Sequence, residues 1–128
     1  MKKILTKDEE DFLLTSKYGE IKKIKELIDL GIDINIQDEE GWTALMVAAA
    51  YDHIEIVREL IKSGADINIQ NKYGRTALMV ASGNGYTETV RELIKNGADV
   101  NIKGKEGKTA LDYAKEEGDN DIVDILSK

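Results

Sequence analysis

The sequence contains no cysteine, which excludes disulfide bonds, thiolate nucleophiles and thiolate metal ligands. It also lacks a long hydrophobic run: the longest uncharged apolar stretch, residues 44–51, is far shorter than the roughly 20 residues that span a bilayer. Basic residues are in the minority, with 18 Lys and Arg against 25 Asp and Glu and a formal net charge of −7. Nucleic acids and acidic membranes bind clustered Lys and Arg, so neither is an expected partner.

The first five residues resemble the start of a secretory signal, but the charged residues 7–11 follow at once. The apolar segment of such a signal is therefore missing, and the cytoplasm is the expected location. With 128 residues and 41% apolar side chains, the chain is long enough for one continuous core and too short for two. We expect a single domain spanning residues 1–128.

Two sequence patterns recur with a constant spacing of 33 residues. The segment 41–48 (GWTALMVA) returns at 74–81 (GRTALMVA) and at 107–114 (GKTALDYA). A second pattern, 31–35 (GIDIN), returns at 64–68 (GADIN) and at 97–101 (GADVN). A fixed period of this length indicates a stack of similar structural units, each contacting its neighbours. The predicted units are residues 8–40, 41–73, 74–106 and 107–128, of which the first and last cap the stack.

Each unit carries start and stop signals for two short helices. A threonine stands where the first helix needs an N-cap, and in the last unit Asp112 adds an acidic capping box. A glycine, or Asp52 in the second unit, marks the break between the helices, and a further glycine follows the second helix. The predicted class is all-α, with four stacked helix pairs joined by β-hairpin-like fingers. The residues that carry these signals are Thr43, Thr76 and Thr109, then Gly19, Gly85 and Gly118, then Gly31, Gly64 and Gly97.

This pattern resembles the ankyrin repeat over nearly the whole chain. The Thr-Pro-Leu-His motif of that family corresponds to residues 43–46, 76–79 and 109–112, and its Gly-Ala-Asp-Val-Asn exit is matched in full at 97–101. Ala replaces the proline, and Met or Asp replaces the histidine, so the hydrogen bonds of that histidine cannot form. The resemblance implies an ankyrin-type solenoid that binds a partner protein, with no catalysis and no cofactor, and a monomer is expected.

Positions that vary between units are the candidates for binding, because positions that repeat are needed for the scaffold. We call each of the 33 positions of the repeat a slot. Trp42 occupies a slot that holds Arg75 and Lys108 in later units, which predicts an exposed indole and an interface anchor. The alternative is that Trp42 packs on its own finger, and Tyr51 has equal claims to binding and to structural packing. The first finger is acidic and the third largely basic, a pattern that suits either charge steering or simple solvation. The full candidate set is Glu39, Glu40, Trp42, Tyr51, Lys72, Tyr73, Arg75, Asn84, Lys105 and Lys108.

Two other functions stay open on the sequence alone. Ile125 stands where other units hold a glutamate, which suggests a self-associating structural spacer. Abundant carboxylates allow an enzyme in principle, but no Ser/His/Asp set or metal-ligand set can be assembled. His53, the single histidine, reads as a hydrogen-bonding turn residue. The run 83–85 predicts an early end to the first helix of its unit. Thr87 and Thr89, in slots held by Ile54 and Ile56, predict a weak third unit.

Overall fold

The computed structural model describes residues 4–128, and these residues form eight α-helices connected by turns, without a strand. The all-α prediction is therefore confirmed, while the fingers are hydrogen-bonded turns in which no residue is in strand conformation. The helices are α1 (Lys7–Tyr18), α2 (Ile21–Asp29), α3 (Ala44–Ala50), α4 (Ile54–Lys62), α5 (Ala77–Gly83), α6 (Thr87–Lys95), α7 (Ala110–Glu117) and α8 (Asn120–Leu126).

The threonines of the repeated motif begin their helices as predicted. The hydroxyl of Thr43 accepts a hydrogen bond from the backbone N–H of Met46, and Thr76 and Thr109 do the same in their units. These bonds satisfy N–H groups that have no partner inside a helix. Thr109 and Asp112 form the expected capping box.

The first helix departs from the repeat. Thr6 caps α1 and forms a reciprocal capping box with Glu9, one turn earlier than the repeat would place a cap. As a result α1 has 12 residues, whereas α3 and α5 have 7 each. The Thr-x-x-Glu signal was present in the sequence, but it lies outside the register of the other units.

The breaks between paired helices use left-handed backbone. Gly19 and Gly118 adopt φ values of 75° and 71°, and Asp52 adopts 57°, the single non-glycine residue with positive φ among residues 4–128. The expected early end of the third unit's first helix is wrong, because α5 ends at Gly83 in the slot where α3 ends at Ala50. Asn84 and Gly85 form the ordinary break of that unit.

The helices pack in two rows. The first helices contact one another in the order α1, α3, α5, α7, and the second helices in the order α2, α4, α6, α8. Each first helix also contacts the second helix that follows it in the chain. Buried apolar residues from all eight helices form one cluster.

Side-chain amides connect neighbouring fingers. Asn35 Oδ1 accepts from the backbone N–H of Asp66 at 2.8 Å, and Asn68 Oδ1 accepts from that of Asp99 at 2.8 Å. Gln70 Nε2 donates to the carbonyl of Lys103 at 3.1 Å. These bonds hold consecutive fingers side by side and so fix the spacing of the residues they carry.

Candidate partner-binding groove

The tips of adjacent fingers are tied to one another. Lys72 N–H donates to the carbonyl of Glu40 at 2.8 Å, and Lys105 N–H donates to that of Tyr73 at 3.1 Å. The hydroxyl of Tyr73 also donates to Glu40 Oε2 at 2.8 Å. The predicted binding residues at the finger tips therefore bond to each other, which limits the motion of their backbone and of the Tyr73 side chain.

The first of two adjoining hollows lies between the first finger and the helices α1 and α3. It has a volume of about 600 Å³ and is open to solvent. Apolar side chains form much of its wall, and two carboxylates and one lysine stand beside them. The lining residues are Leu13, Leu14, Lys17, Asp38, Glu40, Trp42, Val47, Ala50 and Tyr51.

The second hollow continues from the first toward the C-terminus and has a volume of about 390 Å³. Trp42 and Ala50 line both hollows, so the indole stands where they meet. We call the two hollows together the groove. The other lining residues of the second hollow are Arg75, Met79, Val80, Gly83, Asn84, Glu106, Lys108, Tyr113, Glu116 and Glu117.

The expectation that Trp42 is exposed is wrong. The residue is half-buried and packs against the main apolar cluster. Its backbone is tied to its own finger, since Trp42 N–H donates to Asp38 Oδ1 at 2.9 Å. The inference failed because Arg75 and Lys108, in the same slot, are also half-buried. Long cationic side chains cover apolar surface with their stems while the charged ends reach water, so a slot that accepts them need not be exposed.

Arg75 and Lys108 both lie against the ring of Tyr113. The Arg75 guanidinium carbon is 5.2 Å from the ring centroid, and Lys108 Nζ is 5.7 Å from it. Lys108 Nζ also lies 2.5 Å from Glu116 and 3.7 Å from Glu106. The hydrogen bond that Lys108 donates to Glu116, against a smaller opposing effect of desolvation, raises the pKa of Lys108. The charge of Lys108 is thus already compensated inside the groove.

The remaining candidates lie around the groove and the finger tips. Tyr51 is 49% exposed, stacks on His53 with ring centroids 6.4 Å apart, and has Lys17 over its ring. Lys72 lies over the ring of Tyr73, with Nζ 5.4 Å from the centroid. Glu39, Glu40 and Lys72 line a separate cleft of about 850 Å³ between the first two fingers. Asn84 and Lys105 are exposed.

Sequence reasoning missed two groove residues. Leu14 is 50% exposed on α1, and Tyr113 supplies the ring beneath Arg75. Both occupy one slot of the repeat, shared with Val47 and Val80, and all four line the groove. Variation in that slot was visible in the sequence and could have identified both residues.

His53 is a turn residue, as predicted. Its Nε2 lies 2.7 Å from the carbonyl oxygen of Lys17. A carbonyl only accepts, so Nε2 carries the proton and donates across the boundary between the first two units. No group of three or more His, Cys, Asp or Glu residues within 4–128 has the arrangement of a metal site.

No helix in the described part of the chain is long and apolar enough to cross a membrane. The first three residues, which open the segment that resembles a signal, lie outside that part.

The family model for ankyrin repeats in three copies matches residues 12–104 and 63–128. These matches cover most of the sequence, so the chain belongs to the ankyrin repeat family. Proteins of this family generally bind other proteins. No curated protein sequence shows significant similarity to the chain.

Proposed function

We propose that this chain is a non-catalytic docking module that binds a partner protein through the groove and the finger tips. In this proposal the eight helices act as four stacked pairs joined by hairpin-like fingers, within one domain that works as a monomer in the cytoplasm. A stack of this kind holds its surface residues on rigid elements, so little ordering is needed when a partner binds.

One observation carries the proposal: residues that differ between otherwise similar units collect along the groove. Trp42, Arg75 and Lys108 share one slot and line it together. Tyr51 and Asn84 share a second slot and also line it. Aromatic residues and arginine are the types enriched among energetically dominant interface residues. Variation at these slots therefore changes the recognition surface while the repeated interior is kept.

The spacer alternative loses the feature that suggested it. Ile125 is half-buried and packs against the main apolar cluster, so it presents little apolar surface for self-association. In the two preceding units the same slot holds Glu59 and Glu92. These glutamates form ion pairs across unit boundaries with Lys25 and Arg58. The row of ion pairs between units ends at Glu92, because the next residue in this slot is the uncharged Ile125.

The enzyme alternative needs carboxylates that are free to act as acid or base. In the groove, Glu116 and Glu106 are engaged by Lys108, and Glu40 accepts from Tyr73. Glu117, which makes no ion pair among the described residues, is exposed to solvent. The arrangement favours a surface for recognition over a site of proton transfer.

The test compares two triple variants in a pull-down with purified protein as bait. Trp42→Ala, Tyr73→Ala and Arg75→Ala together remove the central contacts of the groove and the second finger. The control combines Lys62→Ala, Glu88→Ala and Lys95→Ala, three exposed residues on the second-helix row. Circular dichroism checks that both variants keep their helices. We expect the groove variant to lose proteins that the wild type and the control retain, and equal recovery by all three would refute the proposed surface.

A further inference from the structure

Arg75 differs from Lys108, the other cation of the second hollow, because no carboxylate of the described residues compensates its charge. Its guanidinium group makes no hydrogen bond and no ion pair with any residue in 4–128, although the residue is half-buried. Lys108, which holds the equivalent slot one unit later, is engaged by two glutamates. The two residues therefore differ in what they can offer to a partner.

The position of Arg75 is fixed without using the N–H donors of its guanidinium group. Its backbone N–H donates to Asn71 Oδ1 at 3.1 Å, and its guanidinium rests 5.2 Å from the centroid of Tyr113. Stacking on an aromatic face restrains the plane of a guanidinium and leaves its N–H edge available. A planar fork of this kind matches a carboxylate, which accepts two parallel hydrogen bonds.

The surroundings of Arg75 supply an apolar contact beside this donor edge. Trp42, Ala50 and Val80 line the same hollow, and the indole is half-buried there. An apolar side chain that packs on the indole would displace water near the guanidinium, and the removal of water strengthens a charged hydrogen bond.

Three glutamates also line this hollow, and they bear on whether a carboxylate can enter. Lys108 pairs with both Glu106 and Glu116, at 3.7 Å and 2.5 Å, but its single positive charge offsets only one of their two negative charges. Glu117 is exposed and makes no ion pair within the described residues. Glu117 is thus a second negative charge in the hollow that Lys108 does not offset, and both charges work against an acidic ligand.

We propose that the groove recognises a segment of the partner protein that places an aspartate or glutamate carboxylate on Arg75 and an adjacent apolar side chain on Trp42. This inference rests on the proposed function and names the chemistry of the partner. It assigns Arg75 the role of selecting the acidic residue, and it gives Lys108 no such role.

The experiment selects random linear peptides, displayed on phage, against four purified forms of the full chain. These are the wild type, Arg75→Gln, the matched control Lys108→Gln, and Trp42→Ala, each checked for helix content by circular dichroism. The best peptide from the wild-type selection is then synthesised with its acidic residue and with the corresponding amide. Calorimetry measures the affinity of both peptides for each form and for Glu117→Gln.

We expect the wild type and Lys108→Gln to enrich an acidic residue beside an apolar one, although Lys108→Gln should bind such peptides more weakly because Glu106 and Glu116 lose their partner. Replacing the acid of the peptide by its amide should weaken binding to the wild type by about tenfold, and to Arg75→Gln by less than about twofold. Glu117→Gln should bind the acidic peptide severalfold more tightly than the wild type.

Several results would overturn the inference. These are enrichment without an acidic preference, an acidic preference that survives Arg75→Gln, or no enrichment at all. If peptides of another chemistry bind and Trp42→Ala abolishes their binding, the inference fails while the proposed groove stands. If peptides bind to Trp42→Ala and to Arg75→Gln as strongly as they bind to the wild type, both the inference and the proposed surface fail.

Discussion

Thr89 Oγ1 donates a hydrogen bond to Asp52 Oδ1 at 2.8 Å, which joins α6 of the third unit to the helix break of the second. Both residues are exceptions to the repeat. Asp52 has a φ of 57° where other units use glycine, and Thr89 is completely buried in the slot of Ile56. Asp52 therefore supplies the acceptor that the buried hydroxyl of Thr89 requires, which a glycine side chain could not do.

The first prediction concerns the coupling of these two residues. Thr89→Val should lower the free energy of unfolding by about 1 kcal/mol, since it removes the bond but leaves Asp52 in water. Asp52→Gly relaxes the backbone but leaves the Thr89 hydroxyl buried without an acceptor, and should also cost about 1 kcal/mol. The double variant should be close to wild type in urea unfolding. Strictly additive losses would show that the two residues act independently.

The second prediction uses two glycines with the same backbone handedness but different surroundings. A Cβ at Gly74 would lie 2.7 Å from the backbone nitrogen of Lys105, whereas a Cβ at Gly64 would meet nothing within 4 Å. Gly64→Ala should cost about 1 kcal/mol for its positive φ alone. Gly74→Ala should cost about 2 kcal/mol more, because backbone of the next finger must move. Equal midpoints in urea would contradict the close contact between fingers.

The third prediction is a pH dependence at the capping box of α7. The backbone N–H of Thr109 donates to Asp112 at 2.9 Å, and this bond, against a smaller effect of desolvation, lowers the pKa of Asp112. A lowered pKa in the folded state gives stability that is present above the unfolded pKa of about 3.9 and is lost as the pH falls through the folded value.

Asp112→Asn should therefore be less stable than the wild type near pH 7, and the difference should shrink below about pH 4. Urea unfolding at several pH values measures it. Asp124→Asn, at an exposed residue of α8, serves as the control and should leave the profile unchanged. A difference for Asp112→Asn that is constant with pH would exclude the charge as its cause.

The fourth prediction separates two ion pairs by their burial. Arg58 Nε lies 2.8 Å from Glu92 Oε1, and only 14% of the Glu92 side chain is exposed. The hydrogen bond from Arg58 is the largest influence on Glu92 and lowers its pKa. Arg58→Gln should cost about 0.5–1 kcal/mol at low ionic strength and less at about 1 M salt.

Arg91 and Glu88 form the comparison pair within α6, and both side chains are more than half exposed. Arg91→Gln should change the free energy of unfolding little at either salt concentration, because exposed pairs contribute almost nothing. Equal losses for the two variants would show that burial of Glu92 has no influence.

The repeat made much of the fold predictable. Thr43, Thr76 and Thr109 identified three helix starts, and the glycines between paired helices identified breaks, because both depend on local backbone chemistry. Thr6 was missed because its capping box lies out of register with the other units. The end of α5 was misjudged because two glycines around Asn84 suggested a disruption that the observed helix lacks.

The groove was less predictable, because it depends on side chains from different units. The repeat register brings same-slot residues such as Glu40 and Tyr73 together, but it does not say that their side chains bond. The pair of Asp52 and Thr89 is not in the same slot, so no comparison of units reveals it. The exposure of Trp42 was predicted wrongly, since the residue types found in a slot do not show how far a long side chain lies along the surface.

The position of Trp42 gives the chain a built-in optical reporter. It is the single tryptophan, and it stands where the two hollows meet. Its emission therefore comes from one place in the molecule, without background from other indoles. Occupation of either hollow changes the polarity around that ring, so binding can be followed by fluorescence on the unlabelled protein.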